Sequence, residues 1–305
     1  MAFQRIDRRV LPDGTETSVF PFHVSMQGME DIVLCRDEED FDVMEKYIFI
    51  CARRKNILVI IHIVMSNHTH AAVLAANESD AKAFGEEVKR VYSQYFSRKY
   101  NERKVLRRTH LDIRLLNNDS YLRNALAYIP RNALDAAARI EDYPWSGYGA
   151  MFCGGKASVP TRRVCDLSAR ESASLFHTHD ILKETGWTID EQGKLLPVSA
   201  CDYSYLESAF CNDQAFFLKV IGNVNLSEMK QLLIENGRQR LNDSTLLQIL
   251  EDYSRRWFQK GIKELTPQNK SRILPYVYHM YRTTPNQLAR CFQMDKGLVE
   301  RLLKV

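Results

Sequence analysis

The chain has 305 residues, with 42 Lys and Arg against 38 Asp and Glu, and a formal net charge of +4. That length allows two domains and a sizeable core, and the composition is that of an ordinary globular protein without low-complexity tracts. No apolar run approaches the ~20 residues that cross a bilayer, and the opening MAFQRIDRRVLPDG lacks an apolar signal core, so the expectation is a cytoplasmic protein with no membrane partner.

Charge is unevenly spread. Residues 30–45 hold eight acids against Arg36 alone, whereas residues 82–131 hold twelve Lys or Arg against five acids. A basic segment of that kind suggests a polyanion as ligand, the plain alternative being a solvated helix face. The seven cysteines form no CxxC pair, and their scattered spacing fits reduced thiols better than disulfides or a zinc site.

Taken in order, residues 1–17 read as a lead-in with a turn at Pro12-Asp13-Gly14. Val19–Gln27 mixes β-branched and aromatic residues as a strand does. His23 lies on it; a lone strand histidine is ordinarily a packing residue, with a catalytic role as the alternative. Asp37–Lys55 reads as a helix, capped by Asp37, acidic in its first turn and basic in its last, with Phe41, Met44, Ile48 and Cys51 as the buried stripe. Asn56–Met65 and His68–Ala75 form a hairpin turned at Ser66-Asn67. Ser79–Tyr100 is a longer helix with a basic far end, His110–Leu116 a fourth strand with Asp112 and Arg114 on one face, and Asp119 or Ser120 caps a helix running to about Ala138. The order strand, helix, strand, strand, helix, strand matches a ferredoxin-like antiparallel sheet with helices on one face, so the class is α+β. The helix from Ser120 must then fold back against that sheet. Asp142–Tyr148, DYPWSGY, marks the end of the first domain, expected over 1–150. Residues 151–260 read as mixed and mostly helical. The last part, 261–305, ends in a helix-turn-helix pattern: Ile273, Val277 and Met280 form a stripe, Asn286–Phe292 a short helix, Gln293-Met294-Asp295 a turn, and Lys296–Leu303 the recognition helix. A plain packing hairpin of helices is the competing reading of that segment.

The chemistry centres on Ile57–Ala76, ILVIIHIVMSNHTHAAVLAA. Side chains alternate on a strand, so His68 and His70 point the same way and could grip one divalent metal. Tyr128 and Asn132, four apart on a helix, share a face. An amide oxygen suits Mg²⁺ or Mn²⁺, and a tyrosine one turn away could attack a phosphate polarised by that ion.

IVMSNHTHAAV resembles the HUH motif of the single-tyrosine transposases, above all the REP-associated tyrosine transposases, in which a strand ends in Met-Pro-Asn/Asp-His-x-His. FHVSMQGMED resembles that family's opening strand, YLRNALAYIPRNALDAAA its nucleophile helix with the pattern Tyr-Ile-x-x-Asn-Pro-x-x-Ala-Gly, and DYPWSGYGAM the Tyr-x-Trp-Ser-Ser-Tyr segment that follows. The likeness covers roughly residues 19–150, in order. It implies His68, His70 and Asn132 as ligands of Mg²⁺ or Mn²⁺ and Tyr128 as nucleophile. It also implies single-stranded DNA with hairpins as substrate, a 5′-phosphotyrosine intermediate, a homodimer, and a bacterial location beside the nucleoid when DNA is bound. Arg107, Arg108, Arg114 and Arg131 are the expected phosphate contacts, and Lys296 the expected contact to duplex DNA. Thr69, Ser66, Ala133, Leu134 and Ala137 depart from the family pattern, which has, respectively, a bulky apolar residue, Pro, Pro, a Val-like residue and Gly there. A non-cleaving DNA-binding regulator of the same fold is the alternative; a phosphoesterase that needs no tyrosine is a third.

Overall fold

A computed structural model describes residues 7–27, 33–102, 106, 109–154, 157, 159–222, 241–281 and 283–303. The chain is α+β, built on an antiparallel sheet. Strands β1 (Asp7–Val10), β2 (Glu16–Gln27), β3 (Leu58–Val64), β4 (His68–Ala75) and β5 (His110–Leu115) make it up. The order is β1-β2-β4-β3, with β5 pairing the far end of β2. Helix α1 (Glu38–Arg54) lies between β2 and β3, and α2 (Glu78–Tyr100) between β4 and β5. Asp37 caps α1 as expected, its side chain accepting from the Asp40 amide, and Arg53 and Arg54 complement the last turn.

The two faces of the sheet carry different chemistry because side chains alternate. Phe22, Val24 and Met26 of β2, with Ala71 and Val73 of β4, pack under α1 and α2. The opposite face presents His23, Ser25, His70, Ala72 and Leu74, as the pairs Ser25↔His70 and His23↔Ala72 require. In β3 the ladder skips between Val59 and Ile61, leaving Ile60 as an extra residue. Val59 and Val64 therefore face α1 and α2, while Ile60, Ile61 and Ile63 face the other way.

Helix α3 (Asp119–Arg131) packs on that second face through Leu122, Leu126 and Ile129. Its cap is Asn118, whose side chain accepts from the Tyr121 amide, one residue before the expected position. The helix also stops short of Ala138: Pro130 removes a backbone donor, and Asn132–Ala136 tightens to 3-10 winding before Ala137 turns left-handed at φ 56°.

Segment 143–147 covers the outer edge of β3. The Val64 amide donates to the Trp145 carbonyl at 2.9 Å, Tyr143 Oη donates to the Val64 carbonyl at 2.7 Å, and Ser146 pairs with Ile63. The described residues from 151 to 222 continue the same two cores rather than starting afresh. Val164, Leu167, Phe176 of α4 (Ala169–Phe176), Ile189 and Leu195 join the α1–α2 layer. Tyr205 and Leu206 of α5 (Tyr203–Ala209), with Phe217 and Ile221 of helix α6 over 214–222, join the α3 layer. A third cluster gathers α7 (Asp243–Phe258), α8 (Pro267–Met280), α9 (Pro285–Phe292) and α10 (Lys296–Leu303) around Leu246, Leu250, Ile273, Val277, Leu288 and Phe292, together with Val33. α7 thus belongs with the terminal helices, across the expected boundary at 260. Ile273 and Val277 are buried as expected, but Met280, the last residue of α8, is 52% exposed. No described helix is long and apolar enough to cross a membrane.

The terminal helices meet the sheet at the turn before β4. Ser66 Oγ donates to Asp243 Oδ2 at 2.6 Å, and Asp243 takes a two-pronged pair from Arg290 of α9, Nε at 2.7 Å and Nη2 at 2.8 Å. Gln287 Nε2 adds a bond to Asp243 Oδ1 at 3.0 Å.

Candidate metal and nucleophile site

β4 opens with His68 at the mouth of the turn and places His70 one pleat further, on the α3 face, with ring centroids 5.0 Å apart. His70 is 3% exposed, walled by Ile63 beside it in β3 and Ser25 beside it in β2. α3 brings Tyr128 and Asn132 over the pair. The Tyr128 ring stands edge-on to His70 at 5.4 Å between centroids, and Tyr128 is 39% exposed. Asn132, at the C-cap, is anchored by its amide nitrogen, which donates to the carbonyls of Tyr128 at 3.0 Å and Ile129 at 3.1 Å. That leaves its oxygen aimed at His68 Nε2, 3.5 Å away.

The hydrogen-bond inventory decides what that approach means. His68 Nδ1 lies 2.9 Å from Asn67 Oδ1, which can only accept, so Nδ1 carries the proton. Burial pushes the His68 and His70 imidazoles below their ordinary pKa, and for His68 only the Asn132 contact and two more distant acids oppose it. A neutral His68 protonated at Nδ1 presents a lone pair at Nε2. Asn132 presents another at Oδ1. Two lone pairs facing one another repel unless a cation joins them. With ligand bonds of ~2.1 Å, neighbouring octahedral ligands stand roughly 3 Å apart, close to the spacing found here. The donor set of two imidazoles and an amide oxygen therefore fits a divalent cation. Among the described residues no group of three or more His, Cys, Asp and Glu is arranged to hold a metal, so this amide is the third donor the set depends on.

His23 is the member that sequence reasoning left on the margin. Its Nε2 is 3.0 Å from His70 Nδ1, and the two rings are stacked with centroids 5.0 Å apart. Burial lowers its pKa to about 4 against the opposing pull of Asp112, so it is a neutral acceptor near neutrality. If it accepts from His70 Nδ1–H, the His70 lone pair is confined to Nε2. The spacing of His23 and His70 in the sequence gives no hint of this; only the β2–β4 register does.

The expected phosphate contacts fall unevenly. The Arg131 guanidinium sits 5.5 Å from the Tyr128 ring centroid, beside the nucleophile candidate. Arg114 is on β5, opposite His23, with its Nε donating to Asp112 Oδ2 at 2.7 Å. Arg107 and Arg108 lie outside the described residues. Lys296 opens α10 in the terminal cluster, on a different element from the histidine site. No protein-family model matches the chain, and no match was found among curated proteins or solved structures.

Proposed function

We propose that the protein is a metal-dependent tyrosine transposase of the HUH, REP-associated kind, which cleaves and rejoins single-stranded DNA beside hairpins. The observation that carries this reading is the meeting of Tyr128 with His70 and of Asn132 with His68, from two elements far apart in sequence. The strand order β5-β2-β4-β3 supports the ferredoxin-like scaffold such a site would sit on.

In this reading His68, His70 and Asn132 would hold Mg²⁺ or Mn²⁺, which when bound would supply Lewis-acid polarisation of a DNA phosphate. Tyr128 Oη attacks the phosphorus. Its new P–O bond forms as the P–O3′ bond breaks, the phenol proton passes to solvent, and O3′ takes up a proton as a free 3′-hydroxyl. The strand is left joined through its 5′-phosphate to the tyrosine, and attack by a 3′-hydroxyl reverses the step, so the phosphodiester is conserved. Arg131 and Arg114 meet the phosphates on either side in a salt-dependent way. α9 and α10 would act as a helix-turn-helix that contacts duplex DNA near Lys296, and a second copy of the chain would complete the expected dimer.

The test is to incubate the protein with Mn²⁺ and a labelled hairpin with single-stranded flanks, then run a denaturing gel. A slow-migrating covalent band should form, and should vanish in Tyr128→Phe and in His68→Ala. Hairpin binding with no adduct in either metal would replace the enzyme by a DNA-binding regulator. Hydrolysis that persists in Tyr128→Phe would replace it by a phosphoesterase.

A further inference from the structure

The outer face of α7 and α8 takes no part in that chemistry. Tyr253 and Trp257 lie one turn apart on α7, and Tyr276 reaches them from α8. Ring centroids are 5.6 Å apart for Tyr253–Trp257, 5.2 Å for Tyr253–Tyr276 and 5.4 Å for Trp257–Tyr276, all edge-to-face. Trp257 is 41% exposed and Tyr276 40%, with Met280 exposed one turn further along α8. Large rings that pack edge-on leave flat faces for a further ring to stack upon, and grouped exposed aromatics mark a binding surface more often than chance exposure does.

The rim is basic. Arg256 and Lys260 are exposed beside Trp257, and exposed Arg272, one turn before Tyr276, lies 6.0 Å from the Phe258 ring centroid. Arg255 is spent on Glu251, with Nε 2.8 Å from Oε1, and Asp252 is the one other acid of this stretch of α7. Arg256, Lys260 and Arg272 thus outnumber the exposed carboxylates near them, Asp252 and Glu264, the second of which accepts from the Gly261 amide. This combination of stackable rings and cations suits a polyanion that offers flat apolar faces, rather than an apolar protein surface.

We propose that this aromatic face binds single-stranded DNA, its bases stacking on Trp257 and Tyr276 and its phosphates met by Arg256, Lys260 and Arg272. Duplex DNA hides its base faces inside its own stack and does not fit. The site needs neither a metal nor Tyr128, so it stands or falls apart from the cleavage reaction.

The experiment uses the full chain in EDTA, which removes divalent metal, and fluorescein-labelled oligothymidine, read by anisotropy and by tryptophan emission. The expected result is saturable binding that weakens with salt and quenches the indole. Trp257→Leu and Tyr276→Leu should each weaken binding about fivefold or more. Trp257→Phe should abolish most of the quenching while retaining binding. The exposed charge reversals Arg256→Glu and Arg272→Glu leave the packed rings in place and should weaken binding comparably. Unchanged affinity in the ring and charge variants would overturn the proposal. So would a change from dimer to monomer on sedimentation with affinity unaltered, since the face would then join two copies of the chain.

Discussion

His23 Nε2 and His70 Nδ1, 3.0 Å apart, share one proton, and its location decides which nitrogen of His70 is left to bind. With His23 as acceptor, His70 presents Nε2; without it, the ring is free to flip or to swap tautomers inside its pocket. Partners of this kind typically contribute 10–100-fold to metal affinity. His23→Ala should therefore weaken Mn²⁺ binding by about tenfold at neutral pH, followed by electron paramagnetic resonance of free Mn²⁺ during titration. An unaltered isotherm would reduce His23 to a packing residue. At position 69 the same strand carries a threonine that is 6% exposed and points away from the site, into the layer between Val24, Met26, Phe84 and Val88. The departure from a bulky apolar residue there thus concerns the packing under α2, and leaves the orientation of the two histidines to the pleat.

At the scale of elements, α3 is where reading and structure part. Its apolar stripe is plain in the sequence, and so is the tyrosine–asparagine spacing. Its ends are not. Asn118, Asp119 and Ser120 are all acceptable caps, and the choice falls to Asn118 because its side chain is the one placed to accept from the Tyr121 amide. The far end depends on Pro130 and on Ala137, whose φ of 56° is a conformation that costs a side chain roughly 1–2 kcal/mol. The resemblance expects glycine there, and the left-handed turn is the reason glycine suits it. Ala137→Gly should stabilise the chain by about 1 kcal/mol, the relieved strain outweighing glycine's extra unfolded freedom, as urea denaturation would measure. Strands β2 to β5, α1 and α2 were legible because alternation, the 3–4 stripe and caps such as Asp37 agree with one another, whereas β1 lies in the stretch that reads as an irregular lead-in and is a strand through its pairing with Glu16–Val19. The β3 bulge and the edge cover by 143–147 were not, because each depends on a partner distant in sequence.

At the scale of the molecule, one carboxylate joins the terminal helices to the sheet. Burial by itself would raise the Asp243 pKa, but the Arg290 charge and bonds from Arg290, Ser66 and Gln287 outweigh it and hold the carboxyl below its usual range. A carboxylate depressed by folding stabilises above its unfolded value, near 4, and that contribution is lost as pH falls through the lower folded value. Asp243→Ala, which removes the carboxylate paired with Arg290, should cost about 3 kcal/mol at neutral pH. Its deficit against the wild type should shrink in urea titrations carried below about pH 4. A proline at 66, the residue the resemblance expects, has no hydroxyl and could not make this bond. The unpaired Ile60 has a consequence of its own for how such chains vary. Val59 pairs with Val73 and Ile61 with Ala72, so losing the residue between them would leave every other rung matched and simply straighten the ribbon, at the expense of one buried isoleucine. The same single-codon loss at Thr69 would carry one imidazole through to the wrong side of the sheet. Length differences among natural versions of this hairpin should accordingly collect at 60 and spare the stretch from 61 to 70.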